Sequence, residues 1–307
     1  MKTWFKMLLV AATLSVVAAC GGDDDPANPL DVVQADSRFT VLREAVAAAE
    51  LAPALSGSTP ITLFAPTDDA FAALLTELGL SKTQLLANKP LLTQVLTYHV
   101  LSSQVIRAAV PPGKAITTVQ GGIFKVDAAG AGLVITDGRN RKSNITSTDL
   151  PAGSGVVHVI DKVLLPADKT IVQTAQSLPQ FSILVEAVVA ANLASALSGT
   201  GPLTVFAPTN DAFAALLAEL NISKAALLAD LPLLTKVLTY HVVNGRVLKA
   251  DVPVGAAIAT LQGQTFTVDS ALAITDRRAR RASITGTDVL ASNGVIHVVD
   301  KVILPAP

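Results

Sequence analysis

The chain has 307 residues, above the usual single-domain size of roughly 100 to 200, so two domains with ample core are expected. Half of it is hydrophobic and 15% is charged, which excludes disorder, and a formal charge of −1 excludes a general nucleic-acid binder. Cys20 is the single cysteine, which excludes a disulfide framework within the chain and a thiolate-rich metal site.

Residues 1–19 begin with Lys2 and Lys6, run through apolar Met7 to Val17, and end on Ala18 and Ala19 before Cys20. This order reads as a leader absent from the mature protein, since the apolar run is short for a membrane span. Its loss removes two lysines and takes the charge from −1 to −3. Val17-Ala18-Ala19-Cys20 resembles the bacterial lipobox, which implies cleavage before Cys20 and a diacylglycerol on its thiol. Acyl chains contribute about 0.8 kcal/mol per buried CH₂, so the anchor would be durable. An ordinary leader, or an uncut apolar anchor, is the alternative. Gly21 stands where an inner-membrane retention signal carries Asp, which by the same resemblance favours the outer membrane. Residues 20–28, with Asp23, Asp24 and Asp25, read as an acidic tether, compatible with surface export or with a solvated spacer facing the periplasm.

The rest is one domain written twice. APTDDAFAALLTELGLSK at 65–82 returns as APTNDAFAALLAELNISK at 207–224, LLTQVLTYHV at 91–100 as LLTKVLTYHV at 233–242, and GVVHVIDKVLLP at 155–166 as GVIHVVDKVILP at 294–305. Every mature aromatic and all four histidines obey the repeat, including Tyr98/Tyr240, His99/His241 and His158/His297. The domains are expected at 29–167 and 168–307, joined by the short polar connector around Asp168.

Phe39, Leu42, Val46 and Ala49 recur at helical spacing, as do Phe181, Leu184, Val188 and Ala191. Ile61 to Phe64 alternates like a strand, and Thr67 then serves as N-cap before Asp68, Asp69 and Phe71. Pro90 and Pro232 suit the first turn of a helix that runs to the Tyr-His pair. Beyond it, Phe124 to Asp127, Leu133 to Thr136 and Val157 to Ile160 alternate as strands. Helices first and strands later, without regular alternation, indicate an α+β domain.

The strand-helix block APT(D/N)DAF, the Tyr-His pair about 30 residues on and the closing GVxHVxDKVxLP together resemble the fasciclin domain family, twice and in order. The resemblance implies two tandem wedge-shaped β-sandwiches flanked by helices, used for adhesion or extracellular binding rather than catalysis. It also implies candidate ligand-binding positions at Tyr98, His99, Asp149 and Leu150, repeated as Tyr240, His241, Asp288 and Val289.

The residues themselves specify no enzyme and no cofactor. Asp69 and Asp211 fit a helix first turn, and Asp68 becomes Asn210 in the second copy, so a catalytic carboxylate pair would survive in one domain only. The histidines lack metal-ligand spacing and sit among apolar residues, where hydrogen bonds within the core are expected. Two hairpins concentrate positive charge: Arg139, Arg141 and Lys142, and Arg277, Arg278, Arg280 and Arg281. They read either as solvated arginines or as sites for anionic polysaccharide or acidic protein. The expectation is a lipid-anchored cell-envelope binding protein with a protein or polysaccharide partner, no nucleic acid and no metal. An envelope enzyme acting on cell-wall or lipid substrates at the domain junction, and a purely structural envelope protein, stay open as alternatives.

Overall fold

The computed structural model describes residues 28–57, 59–153 and 155–307; the leader, Cys20 and the tether as far as residue 27 lie outside them. Local chemistry starts and stops the helices. Asn28 accepts hydrogen bonds from the Leu30 and Asp31 amides to cap α1 (Pro29–Ala35). Next come α2 (Thr40–Ala48), with Leu42, Ala45 and Val46 buried, and the single turn α3 (Ala52–Leu55). Phe39, expected within the helix, instead sits at the N-cap of α2, in a 3₁₀ turn, and is still fully buried. After β1 (Thr62–Pro66), Thr67 Oγ1 accepts from the Ala70 amide and opens α4 (Asp68–Leu78). That helix ends at Gly79, whose φ of 64° a residue with a Cβ adopts only with strain. Then follow α5 (Lys82–Ala87) and α6 (Lys89–Tyr98), with Pro90 in its first turn as expected.

The remaining strands are β2 (Val100–Leu101), β3 (Ala115–Thr117), β4 (Ile123–Ala129), β5 (Gly132–Thr136), β6 (Lys142–Ala152) and β7 (Gly155–Ile160). The second repeat supplies α7 (Ile171–Gln176), α8 (Ser182–Ala190), α9 (Ala194–Leu197), β8 (Leu203–Pro208), α10 (Asn210–Leu220), α11 (Lys224–Ala229) and α12 (Leu231–Tyr240). Its strands continue as β9 (Val242–Asn244), β10 (Ala257–Ala259), β11 (Thr265–Val268), β12 (Ala273–Thr275), β13 (Arg281–Ala291) and β14 (Gly294–Val299).

Each repeat forms one seven-stranded sheet, ordered β2-β1-β7-β6-β5-β4-β3 in the first and β9-β8-β14-β13-β12-β11-β10 in the second. Neighbours are antiparallel except β1 with β7, and β8 with β14, which run parallel one strand in from the edge. The strand that opens the helical half thus meets the last strand of the meander. Three strands separate β1 from β4, so a flat sheet would hold Phe64 and Phe124 roughly 19 Å apart. Their ring centroids lie 5.1 Å apart, edge to face, so the sheet curls over on itself. Phe206 and Phe266 repeat this at 5.0 Å. Register shifts along β6 between Ile145 and Leu150 bend that long strand across both halves of the curl. The Val119 amide, just past β3, donates to Val100 O on β2 at 2.8 Å, and Leu261 to Val242 O at 2.7 Å, which nearly closes each sheet into the wedge-shaped sandwich.

Both faces of β1 are buried, so alternate residues enter different cores. Leu63 and Ala65 pack under the helices with Phe39, Leu42, Phe71 and Leu92. Phe64 enters the curl with Tyr98, Phe124, Val126 and Ile160. Phe64→Ala should therefore cost about 3–5 kcal/mol, read as a lowered urea midpoint; a loss below about 1 kcal/mol would contradict the curled packing.

Candidate binding surfaces

Tyr98 and His99 end α6 and are both buried. The Tyr98 hydroxyl donates to Ile123 O at 2.5 Å and accepts from the Gly138 amide at 2.8 Å; burial pushes its pKa up. His99 Nδ1 lies 2.7 Å from Val95 O, while Nε2 accepts from the Leu164 amide at 2.9 Å, an arrangement that fixes a neutral imidazole. Burial pulls its pKa down to about 4. The second copy is alike: Tyr240 donates to Thr265 O at 2.9 Å and is pushed up to about 12 by burial, and His241, also down at about 4, bridges Val237 O and the Ile303 amide. Both pairs spend their polar atoms tying the helical layer to the sheet and to the extended segment after the last strand.

The second histidine of each repeat is also internal. His158 Nε2 lies 2.8 Å from Val105 O, and Nδ1 accepts from the Asp149 amide at 3.2 Å; burial lowers its pKa. His297 does the same with Val247 O and the Asp288 amide, and is likewise lowered by burial. Among the described residues no group of three or more His, Cys, Asp or Glu gathers in a way that could hold a metal. Asp68 and Asn210 differ in charge yet share one bond: each side-chain oxygen accepts from the first turn of α2 or α8, at Val41 (2.8 Å) and Ile183 (3.0 Å). The shared bond needs only an acceptor, so Asp and Asn interchange in it, and Asn210 Nδ2 also donates to Pro179 O at 3.1 Å and Ser182 Oγ at 3.0 Å.

The hairpins use most of their charge locally. Buried Asp137 accepts from the Arg139, Arg141 and Leu165 amides. Arg141 then binds Asp137, Glu77 on α4 (2.7 Å) and Val163 O (2.5 Å). In the second repeat Asp276 plays the same part, and Arg280 reaches Glu219 at 2.8 Å and Val302 O at 3.1 Å. Arg139 pairs with Asp168 at 3.0 Å, Arg281 with Asp269 at 2.5 Å, and Arg278 donates to Pro305 O at 3.0 Å. Lys142 donates to Thr136 Oγ1 at 2.6 Å, and Arg277 is exposed. Among the described residues, only Lys142 and Arg277 of the seven lack a carboxylate or carbonyl partner for the side chain.

Asp149 and Asp288 hold the left-handed region, at φ 59° and 60°, and their Oδ1 atoms accept from the Arg107 and Lys249 amides, each at 2.7 Å. Leu150 and Val289 pack partly buried against the helical cores. The two copies then diverge. Lys125 of the first repeat reaches Asp288 Oδ2 at 2.8 Å, with side chains 11% and 2% exposed. Burial pulls the Lys125 ammonium down, but the Asp288 and Asp127 carboxylates more than offset this and leave it raised. Asn140 makes a two-way bond with the Leu290 backbone, at 2.6 and 3.0 Å, and Ile123 packs with Leu248, Leu290 and Val295. This seam joins the hairpin end of the first domain to the Asp288 end of the second. It was not foreseen from the sequence, although the signal was present: Ile123, Lys125, Asn140 and Leu290 become Thr265, Thr267, Ala279 and Pro151 in the opposite copies.

The fasciclin domain profile matches residues 37–166 and 179–305. The chain belongs to the fasciclin domain family. It carries two tandem fasciclin domains, and over 149 residues, 48% of this chain and 79% of the other, it is 45% identical to protein sll1483 of Synechocystis sp.. Transforming growth factor-beta-induced protein ig-h3 of Sus scrofa is 30% identical over 259 residues, 83% of this chain and 36% of its own length. Periostin of Homo sapiens is 27% identical over 277 residues, 89% of this chain and 30% of its own. The chain therefore spans about a third of these two animal relatives. The domain pair of the insect cell adhesion molecule fasciclin I aligns with 90% of this chain at 18% identity and a TM-score of 0.41, too loosely to compare how the domains are arranged.

The neutral histidines set a pH dependence. Unfolded imidazoles take up protons near pH 6.5, folded His99 and His241 only near pH 4, so the unfolded state binds more protons between those values. Stability should fall as pH drops from about 6.5 towards 4, seen as a declining Tm, while the ring resonances of both residues stay unprotonated at pH 5.5. Titration of either folded imidazole near pH 6.5 would contradict the assignment.

Proposed function

We propose that this chain is a non-enzymatic binding protein, held at a bacterial cell envelope by lipid on Cys20, whose fasciclin domains make adhesive contacts with a protein partner. The observation that carries the reading is an unpaired docking face. In the second domain Leu248, Asp288 and Leu290 are buried, packed or bonded against the first domain. Their counterparts Ile106, Asp149 and Pro151 are exposed among the described residues, Ile106 by 46% and the Asp149 side chain by 39%. One large apolar side chain left exposed beside a positioned carboxylate, where the equivalent pair in the second domain is an interface, supports a docking role for this face.

The seam indicates what such a face accepts: a cationic side chain flanked by an apolar one and an amide, as Lys125, Ile123 and Asn140 offer. The second domain carries Thr267, Thr265 and Ala279 there, so a further copy of this chain lacks those groups and a different protein is the fit. An acidic tether after a lipid anchor would hold this face away from the membrane.

The test is saturable binding of the mature, unlipidated chain to intact producer cells. Ile106→Asp with Asp149→Asn should weaken it at least tenfold, and protease treatment of the cells should abolish it; Asn tolerates the left-handed backbone at 149. Binding unchanged by both substitutions, or insensitive to protease, would overturn the reading. The anchor has its own check. Cys20→Ala should release the protein from the membrane fraction, and tight retention after complete leader cleavage would contradict lipidation.

A further inference from the structure

Arg246 follows β9 at the seam between the domains. Its counterpart in the first repeat is Gln104, whose Nε2 donates to Gly155 O at 3.2 Å. Arg246 replaces that neutral amide with a guanidinium, and among the described residues its buried Nε has no hydrogen-bond partner. It also forms no ion pair with a described carboxylate, and burial lowers its pKa. Arginine nonetheless stays charged in proteins, and Arg246 is half-buried, so its Nε is cut off from water without a partner while the guanidinium charge has no carboxylate beside it. Buried polar groups are nearly always satisfied, and an unpaired one costs stability. A domain pair that keeps such a group pays for it with something other than packing.

The guanidinium faces a cavity of about 320 Å³ between the domains, at the small end of the range for ligand pockets. No described Asp or Glu lines it. Gly121, Gly122 and Gly138 let backbone approach closely on one side, Leu290 supplies an apolar wall, and Gln120 and Ser292 add polar side chains. The amides of Gly122 and Gly138 are already bonded, to Gln120 Oε1 and the Tyr98 hydroxyl, so Arg246 is the charged group left to recognise a ligand.

We propose that this seam cavity binds a small hydroxylated carboxylate of hexuronic acid size, its carboxylate paired with the Arg246 guanidinium and its hydroxyls facing Gln120 and Ser292. One guanidinium balances one carboxylate and offers it a planar two-pronged fork. A phosphate monoester, with about −1.5 to −2 charges at pH 7, would bury excess negative charge. The ligand is a free uronate or the end residue of an acidic polysaccharide, two sources with the same chemistry. The site is separate from the Ile106 and Asp149 face, so either proposal can fail alone.

Calorimetric titration of the mature, unlipidated two-domain chain tests it, with D-glucuronate, a polyuronate oligomer, glucose and inorganic phosphate as probes. Glucuronate or the oligomer should bind saturably and glucose should not; binding of the oligomer alone would assign the site to a polysaccharide end. Arg246→Gln, which restores the residue type of the first repeat, should weaken binding at least tenfold and raise the ligand-free Tm by removing the buried, unsatisfied Nε. Arg246→Lys, which keeps the charge but loses the fork, should fall between. The proposal is overturned if neither uronate binds the native chain, if Arg246→Gln binds as well as native, if that variant melts lower, or if phosphate binds more tightly than glucuronate.

Discussion

Everything in each domain depends on burying both faces of its one parallel strand pair. β1 and β7 alternate apolar side chains to two sides, and neither side can face water without exposing a row of Val, Leu, Ile and Phe. The helices cover one side. The sheet has no second helical layer for the other, so it covers that side with its own far strands, and Phe64 meets Phe124 across the fold. The bulged β6 follows from this demand, because a strand shared by both halves has to bend.

A curled sheet leaves backbone groups at its rim that need partners away from water. The most recognisable residues of the sequence supply them. Tyr98 satisfies Ile123 O and the Gly138 amide, His99 the Leu164 amide, His158 the Asp149 amide, and Asp137 the amides of its own hairpin and of Leu165. The Tyr-His pair and the closing HV(I/V)DKV block are thus structural hydrogen-bond devices, which explains their exact return in the second copy. The imidazoles serve as neutral two-sided connectors, one nitrogen donating and the other accepting, a role lost on protonation.

Two nearly identical domains packed head to tail cannot satisfy identical surfaces equally. One hairpin end and one Asp end meet at the seam, while the other hairpin end and the other Asp end are left over. Substitutions follow this asymmetry. Lys125, Asn140 and Ile123 occupy the hairpin end that is buried, and Thr267, Ala279 and Thr265 the one that is free. Asp288 is buried beneath a lysine while Asp149 stays open, although both have the same backbone conformation and the same amide partner type. Arg246 has no such structural account, and it stands beside the seam where the repeat supplies only Gln104.

The repeat, the α+β order, the Thr67 cap, the Pro90 helix start and the fasciclin resemblance were all legible in the sequence, because each depends on local spacing or on a motif written twice. The parallel pair was not, since β1 and β7 lie about 90 residues apart and nothing local records their register. Candidate sites divided in the same way. Sequence could mark Tyr98, His99 and the arginine hairpins as unusual, but only three-dimensional proximity shows their polar atoms already engaged inside the domain. The seam lay in the mismatches between copies, and residue identity alone cannot say which mismatch is surface drift and which is contact. Spacing along the chain determined the family, the elements and the number of domains. Which of two equivalent carboxylates is buried, which is open and which arginine keeps a buried nitrogen without a partner depended on the docking of one domain on the other, an interaction between residues as far apart as Lys125 and Asp288.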